Sequence, residues 1–128
     1  TVCTVSSDGT VRAWNIQEGK QIWSSPQQGF PLVGIITFPA FNLAATSDTE
    51  GTIKLWHGTT GEQLSTVSVS SIPSCMVAYT IKNNPFLMVS STLCELMAVL
   101  KDTFFRLPNT YKTGHFKVAS LAVAVVAA

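Results

Sequence analysis

Asp8-Gly9-Thr10-Val11-Arg12-Ala13-Trp14 returns at an offset of 42 as Glu50-Gly51-Thr52-Ile53-Lys54-Leu55-Trp56. Each copy is followed, five positions on, by a glycine, Gly19 and Gly61. Each then runs into a similar stretch, Lys20-Gln21-Ile22 and Glu62-Gln63-Leu64. Self-similarity at a period of about 40–45 residues marks a repeat array, in which one small unit stacks on the next because none can bury its apolar face alone. Such arrays bind partners rather than carry out chemistry.

Working outward from the repeat, short runs of Val, Ile, Leu, Phe and Thr are bounded by Gly, Pro, Asn, Asp or Ser, which read as strands and turns. The expected strands are 2–6, 10–14, 21–24, 32–38, 43–46, 52–56, 63–69, 75–81, 86–90, 95–100, 104–107 and 117–125. A new strand starts about every ten residues, a rhythm that suits antiparallel meanders. Asp8-Gly9 is a hairpin signal, since glycine accepts positive φ, and Glu50-Gly51 fills the same slot in the next copy. Asn15 to Gly19 and His57 to Gly61 form the matching second turns. Pro39 and Pro85 are expected in connections, where no ladder donor is needed. A worn third copy follows at an offset of 43: Phe86–Ser90 matches Leu43–Ser47, and Cys94–Val99 matches Gly51–Trp56. In that alignment Val99 stands in the tryptophan slot and Leu93 in the acidic one. The fold class read from these signals is all-β, a partial β-propeller of four-stranded antiparallel blades.

Composition permits a packed core and little else. The hydrophobic fraction is 46% and the charged fraction 12%, too apolar for a disordered tail. The net charge of +1 gives no electrostatic footprint for nucleic acid or an anionic membrane. Cys3, Cys75 and Cys94 are odd in number and irregularly spaced, so they read as buried reduced thiols of an intracellular protein, cytoplasmic or nuclear. The first residues carry neither a signal peptide nor an initiator Met, which points to a piece of a longer chain. The apolar run 118–128 is shorter than the about 20 residues a membrane helix needs.

Together these residues resemble the WD-repeat family of β-propellers. The family pattern runs Gly-His, an apolar strand, a second strand ending in small hydroxyl residues, Asp-Gly-Thr-Ile-x-x-Trp-Asp, then a glycine turn. Residues 6–15 follow it closely, and residues 48–57 follow it with Glu for Asp and His57 for the last Asp. Gly114-His115 opens a further instance, with 117–123 as the strand after it. By this resemblance the repeat markers are Asp8, Gly9, Trp14, Glu50, Gly51, Trp56, Gly114 and His115, all structural. The resemblance implies that His, a Ser or Thr of the second strand, the turn Asp and Trp form a buried hydrogen-bonded chain in each blade. Gly29-Phe30 stands where the second copy should have Gly-His, so polar stapling is expected to be weaker here. The division that follows is 1–28, the end of a first blade and a connecting strand; 29–70, a complete blade; 71–113, a degenerate blade; and 114–128, the first strand of a following, truncated one. Two and a half blades do not close a ring. The remaining blades are expected from a parent chain, with a homo-oligomer as the alternative. The run 124–128 reads either as a divergent strand or as an altered end.

No residue set carries catalysis, a cofactor or a metal. His57 and His115 stand apart, without HxxxH or a Cys-His cluster, and His57 belongs to a solvated turn. Asp8, Asp48, Asp102 and Glu50 form no acid pair, and there is no GxSxG, P-loop or GxGxxG. Trp14 and Trp56 are repeat-phased and read as core, leaving Trp23 as the aromatic most open to solvent. Three tryptophans without a basic groove do not make a single-strand platform. The function expected is therefore a non-enzymatic protein–protein interaction scaffold with other proteins as partners, and neither nucleic acid nor membrane. Its candidate contacts are the turn tips 27–30, 48–50, 70–74 and 109–114. The alternatives are the substrate-recognition part of an F-box/WD-repeat ubiquitin-ligase receptor, or a truncated product without a function of its own.

Overall fold

A computed structural model describes residues 1–69, 72–73, 75–90, 93–100 and 103–112. Turn residues cut this stretch into strands that pair with their chain neighbours. Strands β1 (Val2–Val5), β2 (Val11–Asn15) and β3 (Lys20–Ser24) form the first sheet. Strands β4 (Leu32–Phe38), β5 (Leu43–Asp48), β6 (Thr52–His57) and β7 (Gln63–Ser68) form the second. The third holds β8 (Cys75–Ile81), β9 (Asn84–Ser90), β10 (Leu93–Leu100) and β11 (Thr103–Lys112). All pairings are antiparallel. The expected strand 117–125, and with it Gly114 and His115, lies outside the described residues.

The repeat is reproduced in fine geometry. Gly9 (φ 85°) and Gly51 (φ 79°) close the β1–β2 and β5–β6 hairpins, each donating its amide to the carbonyl three positions back. In both copies a one-residue bulge interrupts the outer ladder beside the tryptophan, between Ala13 and Trp14 and between Leu55 and Trp56. The extra residue, Ile22 or Leu64, increases the local twist. Between β8 and β9 the two linking residues, Lys82 (φ 49°) and Asn83 (φ 62°), both take positive φ. That is a type I′ turn, whose twist matches that of the strands it joins.

Of the two prolines expected in connections, one falls elsewhere. Pro39 does open a connection, a single 3-10 turn over Pro39–Phe41. Pro85 instead lies inside β9, paired with Thr80 one position from the turn, near enough to the strand start that the ladder loses little. Strand β11 also runs beyond the expected 104–107. It continues through Pro108 because the ladder is interrupted there: Met97 faces Arg106 and Glu95 faces Thr110, so residues 107–109 span the place opposite Leu96. Asn109 to Lys112, expected in a turn tip, are thus strand residues.

The sheets stack face to face, with β4 running between β1 and β8. The middle sheet is covered on both faces, which is why every residue of β5 is buried. Odd positions of β5 point one way: Leu43 and Ala45 join Ile53, Leu55, Leu87, Val89, Met97, Val99 and Phe104 in a core between the second and third sheets. On the other face Trp56 joins Val11, Ala13, Trp23 and Leu32 between the first and second. Each aliphatic side chain taken fully out of water contributes about 1.5–3 kcal/mol.

The worn third repeat is in register by structure, not by letter count. Leu87 matches Ala44 at the offset of the third copy and turns toward the second sheet, as Ala44 and Trp56 turn toward the first. Ala44 pairs with Trp56, whereas Leu87 pairs with Met97. Met97, fully buried, therefore occupies the tryptophan slot, and Val99 does not. The reason is a hairpin shorter by two: five residues separate the pair Ser47–Ile53, and three separate Ser90–Cys94.

Candidate functional site

The repeat markers build the hairpin ends. In the first sheet the Thr10 hydroxyl and amide donate to Asp8 Oδ1, at 2.6 and 2.9 Å, while the Asp8 amide donates to Ser6 Oγ at 3.2 Å. The Thr10 hydroxyl foremost, and then the Thr10 amide, hold the Asp8 carboxyl below its ordinary pKa, and the Ser6 side chain and the Arg12 guanidinium 3.7 Å away act the same way. In the second sheet Glu50 takes no such part and is exposed. Asp48, in the phase of Ser6, accepts from both the Glu50 amide (2.9 Å) and the Thr52 amide (3.0 Å) on one oxygen and is buried. One carboxylate thus replaces the serine and the aspartate of the first copy. At the opposite end of the sheet His57 accepts the Thr59 and Thr60 amides on Nδ1, both at 3.3 Å, as the Asn15 side chain accepts the Glu18 amide. Its role is that of a turn cap.

Trp14 and Trp56 each donate Nε1 to a threonine of the preceding strand, Thr4 at 3.0 Å and Thr46 at 2.9 Å. The tryptophan–hydroxyl half of the expected polar chain is therefore present in both copies. Trp56 is buried and Trp14 half-buried. Trp23, expected to be the exposed aromatic, is instead 9% exposed. Its ring stacks on Trp56 at 6.3 Å, its Nε1 donates to the Gly58 carbonyl at 2.9 Å, and it lies over Gly61, where a Cβ would stand 2.6 Å from the ring. The covering groups come from the next sheet, so nothing within the outer strand itself signals the burial.

Four hydrogen bonds draw the connections at one end of the stack together: Gln28 N to Gly9 O (2.9 Å), Leu32 N to Ser6 O (3.2 Å), Thr49 N to Pro31 O (3.1 Å) and Val69 N to Gly51 O (2.9 Å). Gln28 also accepts from the Lys54 ammonium. At this end Phe30, Val33 and Ile72 remain 47, 51 and 43% exposed. Val33 is turned outward by a bulge, because Leu32 faces Asp48 while Gly34 faces Ser47. Beside it opens a cleft of about 240 Å³ between the starts of β4 and β8, lined by Val33, Gly34, Ile35, Ser47, Pro73, Cys75 and Met76. Of the turn tips singled out from sequence, 27–30 reaches this surface, and so does Ile72 of 70–74. Asp48 does not, being buried in its turn, and Ser70, Ser71, Ser74, Thr113 and Gly114 lie outside the described residues. Val33 is a surface residue that sequence reasoning did not single out as such; a bulge has no letter of its own.

Among the described residues no three His, Cys, Asp or Glu side chains come together, and no helix is long and apolar enough to cross a membrane. Cys3 is a free thiol, and burial pushes its pKa up.

No family model matches the chain. It is 41% identical over 113 residues to the human F-box/WD repeat-containing protein 12, covering 82% of this chain and 24% of that protein. It is 30% identical over 110 residues to the mouse F-box/WD repeat-containing protein 15, covering 86% of this chain and 22% of that protein. The chain thus spans about a quarter of the length of these relatives. Among solved structures it is similar to a chain of the mitotic checkpoint complex (TM-score 0.76, 13% identity, 91% of this chain and 37% of that one). It is similar also to the WD40 repeats of RRP9 (TM-score 0.75, 12% identity, 90% and 36%). The likeness to these structures is one of fold. With the repeated hairpins, the paired tryptophan–threonine bonds and the face-to-face sheets already described, it follows that this chain belongs to the WD-repeat family and forms part of a β-propeller.

Proposed function

We propose that the chain serves as a non-enzymatic scaffold for protein–protein interaction, and that the end of the stack carrying Phe30, Val33 and Ile72 meets the partner. One observation carries this reading. Three large apolar side chains are held in water at one end of the stack, where Val33 lines a cleft, by sheets whose own cores are filled. Connections on a rigid scaffold are suited to recognition, and grouped exposed apolar side chains mark interaction surfaces. An intracellular setting, cytoplasmic or nuclear, accords with the free thiol of Cys3. The blade divisions 1–28, 29–70 and 71–113 are proposed with it, and each keeps one described sheet whole.

The test is quantitative affinity purification with the triple variant Phe30→Ala, Val33→Ser, Ile72→Ala, against Ile16→Ala at the opposite end. The expected outcome is that partners recovered with the unaltered protein are lost with the triple variant and kept with Ile16→Ala. Equal recovery with all three would reject the surface.

A finer reading has support from the relatives. Two F-box/WD repeat-containing proteins match across more than four fifths of the chain. On that basis the scaffold is proposed to be the substrate-recognition part of a ubiquitin-ligase receptor. The bound partner would then be ubiquitinated faster in the presence of the protein, and the triple variant would abolish the acceleration. A partner that binds with no change in its ubiquitination would leave the scaffold reading and remove this one.

A further inference from the structure

The face of the second sheet that meets the third narrows toward one end. Along β5 the residues turned that way are Leu43, Ala45 and Ser47, and their ladder partners on β4 are Phe38, Ile36 and Gly34. The first two pairs fill the core between the sheets, and the third sets a hydroxyl beside a residue without a side chain. The cleft of about 240 Å³ opens there, with Met76 of β8 on its far side. Gly34 does not take the positive φ of the turn glycines, so its backbone does not call for glycine. Its surroundings do: a Cβ would stand 2.7 Å from Ser47 Oγ and 3.4 Å from the Met76 methyl. Glycine inside a strand often marks the close approach of another group. Ser47 itself is only 2% exposed, and among the described residues no group hydrogen-bonds to its hydroxyl. A buried hydroxyl without a partner is costly, and this one lines the cleft.

No residue lining the cleft carries a charge. Of the cations near this end, Lys54 donates to Gln28 and Arg12 stands beside Asp8. The carboxylate next in the chain to Ser47, that of Asp48, already accepts two amides. A carboxylate, phosphate or ammonium entering the cleft would give up its water without a counter-charge, whereas an uncharged polar tip would meet a hydroxyl able to donate and to accept. We infer that the cleft receives one uncharged side chain of the bound partner, with an aliphatic stem and a carboxamide tip held by the Ser47 hydroxyl. The cleft is larger than a serine or threonine side chain would fill, and a carboxamide offers both a donor and an acceptor. Gly34 makes the selection possible by leaving the space in front of the hydroxyl empty. The inference rests on the scaffold reading above and adds to it the class of residue that the surface selects.

Met76 provides the experiment, because its methyl group stands at the cleft. The methionines of the full chain are isotope-labelled at the methyl carbon for NMR, and the Met76 signal is assigned with Met76→Leu. The probe is N-acetyl-glutamine methylamide, with N-acetyl-glutamate methylamide as its charged counterpart of the same shape. The glutamine probe should move the Met76 signal and leave that of Met97, which is fully buried, in place. The glutamate probe should leave both in place. Ser47→Ala should weaken the response about five-fold, the worth of one hydrogen bond. Gly34→Ala, whose methyl takes the space in front of the hydroxyl, should abolish it. Equal responses to the two probes, no response up to the solubility limit of the glutamine probe, or a response unchanged in Ser47→Ala would overturn the inference. The comparison of probes needs no variant, so it decides even where neither variant folds. Partners lost with the triple variant while the Met76 signal stays fixed would remove this inference alone. Partners kept with the triple variant while the glutamine probe binds would remove the partner surface and leave the selective cleft.

Discussion

The two seams between the three sheets are built on different principles. Between the first and second sheets, contact centres on one indole set among Val11, Ala13 and Leu32: Trp23 stacks on Trp56, bonds to Gly58 and lies over Gly61. Between the second and third, contact is spread over aliphatic side chains, Leu43, Ile53 and Leu55 against Leu87, Val89, Met97 and Val99. The same outer-strand phase serves both. Trp23 bridges the first seam, and Ser65, its counterpart one repeat later, accepts the Phe104 amide across the second at 3.3 Å. A single large directional group can thus take the place of many small ones. The concentrated seam depends on a few atoms, and the spread seam tolerates the loss of any one.

The comparison would break first at Trp56. Trp56→Ala removes the stack and leaves Thr46 without its indole, and should cost about 3–5 kcal/mol in chemical denaturation. Ile53→Ala opens a smaller cavity in the spread seam, and about 2–4 kcal/mol is expected. A larger loss from Ile53→Ala than from Trp56→Ala would reverse the view of which seam is concentrated. Gly61→Ala sharpens it further. Its new Cβ meets the Trp23 ring, and it should be about 1–3 kcal/mol more destabilising than Gly19→Ala, which carries the same backbone strain without the collision. Equal losses would mean that the ring yields freely.

Smaller effects separate the two hairpin turns. Asp48→Ala strips the acceptor from two amides and should cost about 1–3 kcal/mol, whereas Glu50→Ala should fall within about 0.5 kcal/mol of no change. Asp8 brings the smallest effect, a dependence on pH. Its folded carboxyl titrates below the unfolded one, so its contribution is present above an unfolded value of about 4 and is lost as pH falls through the folded value. Asp8→Asn should remove that part of the acid-side slope; an unchanged slope in acid titration monitored by circular dichroism would contradict the hydrogen-bond account.

Most strands were legible because the repeat fixes phase and the glycines fix turns; the described strands fall close to the positions read from the letters alone. What escaped the sequence depends on neighbours distant along the chain. Trp23 reads as an exposed outer-strand residue because its cover comes from Gly58 and Gly61, most of a repeat further on. Glu50 matches Asp8 by letter, but the work passes to Asp48, since hydrogen-bond geometry follows reach and not alignment. Phe30 belongs to a turn tip picked from sequence, whereas Val33 reaches the surface through a bulge that only pairing reveals.

The shortened β9–β10 hairpin carries a lesson about tolerated change. Losing two residues moved the tryptophan slot from Val99 to Met97 and still left an apolar side chain facing inward, because alternate residues share a face. A loss of one would have turned β10 inside out. Insertions and deletions in these blade hairpins should therefore accumulate in even steps across related sequences, and odd steps should survive only where a bulge, as at Ile22, Val33 or Leu64, absorbs the extra residue.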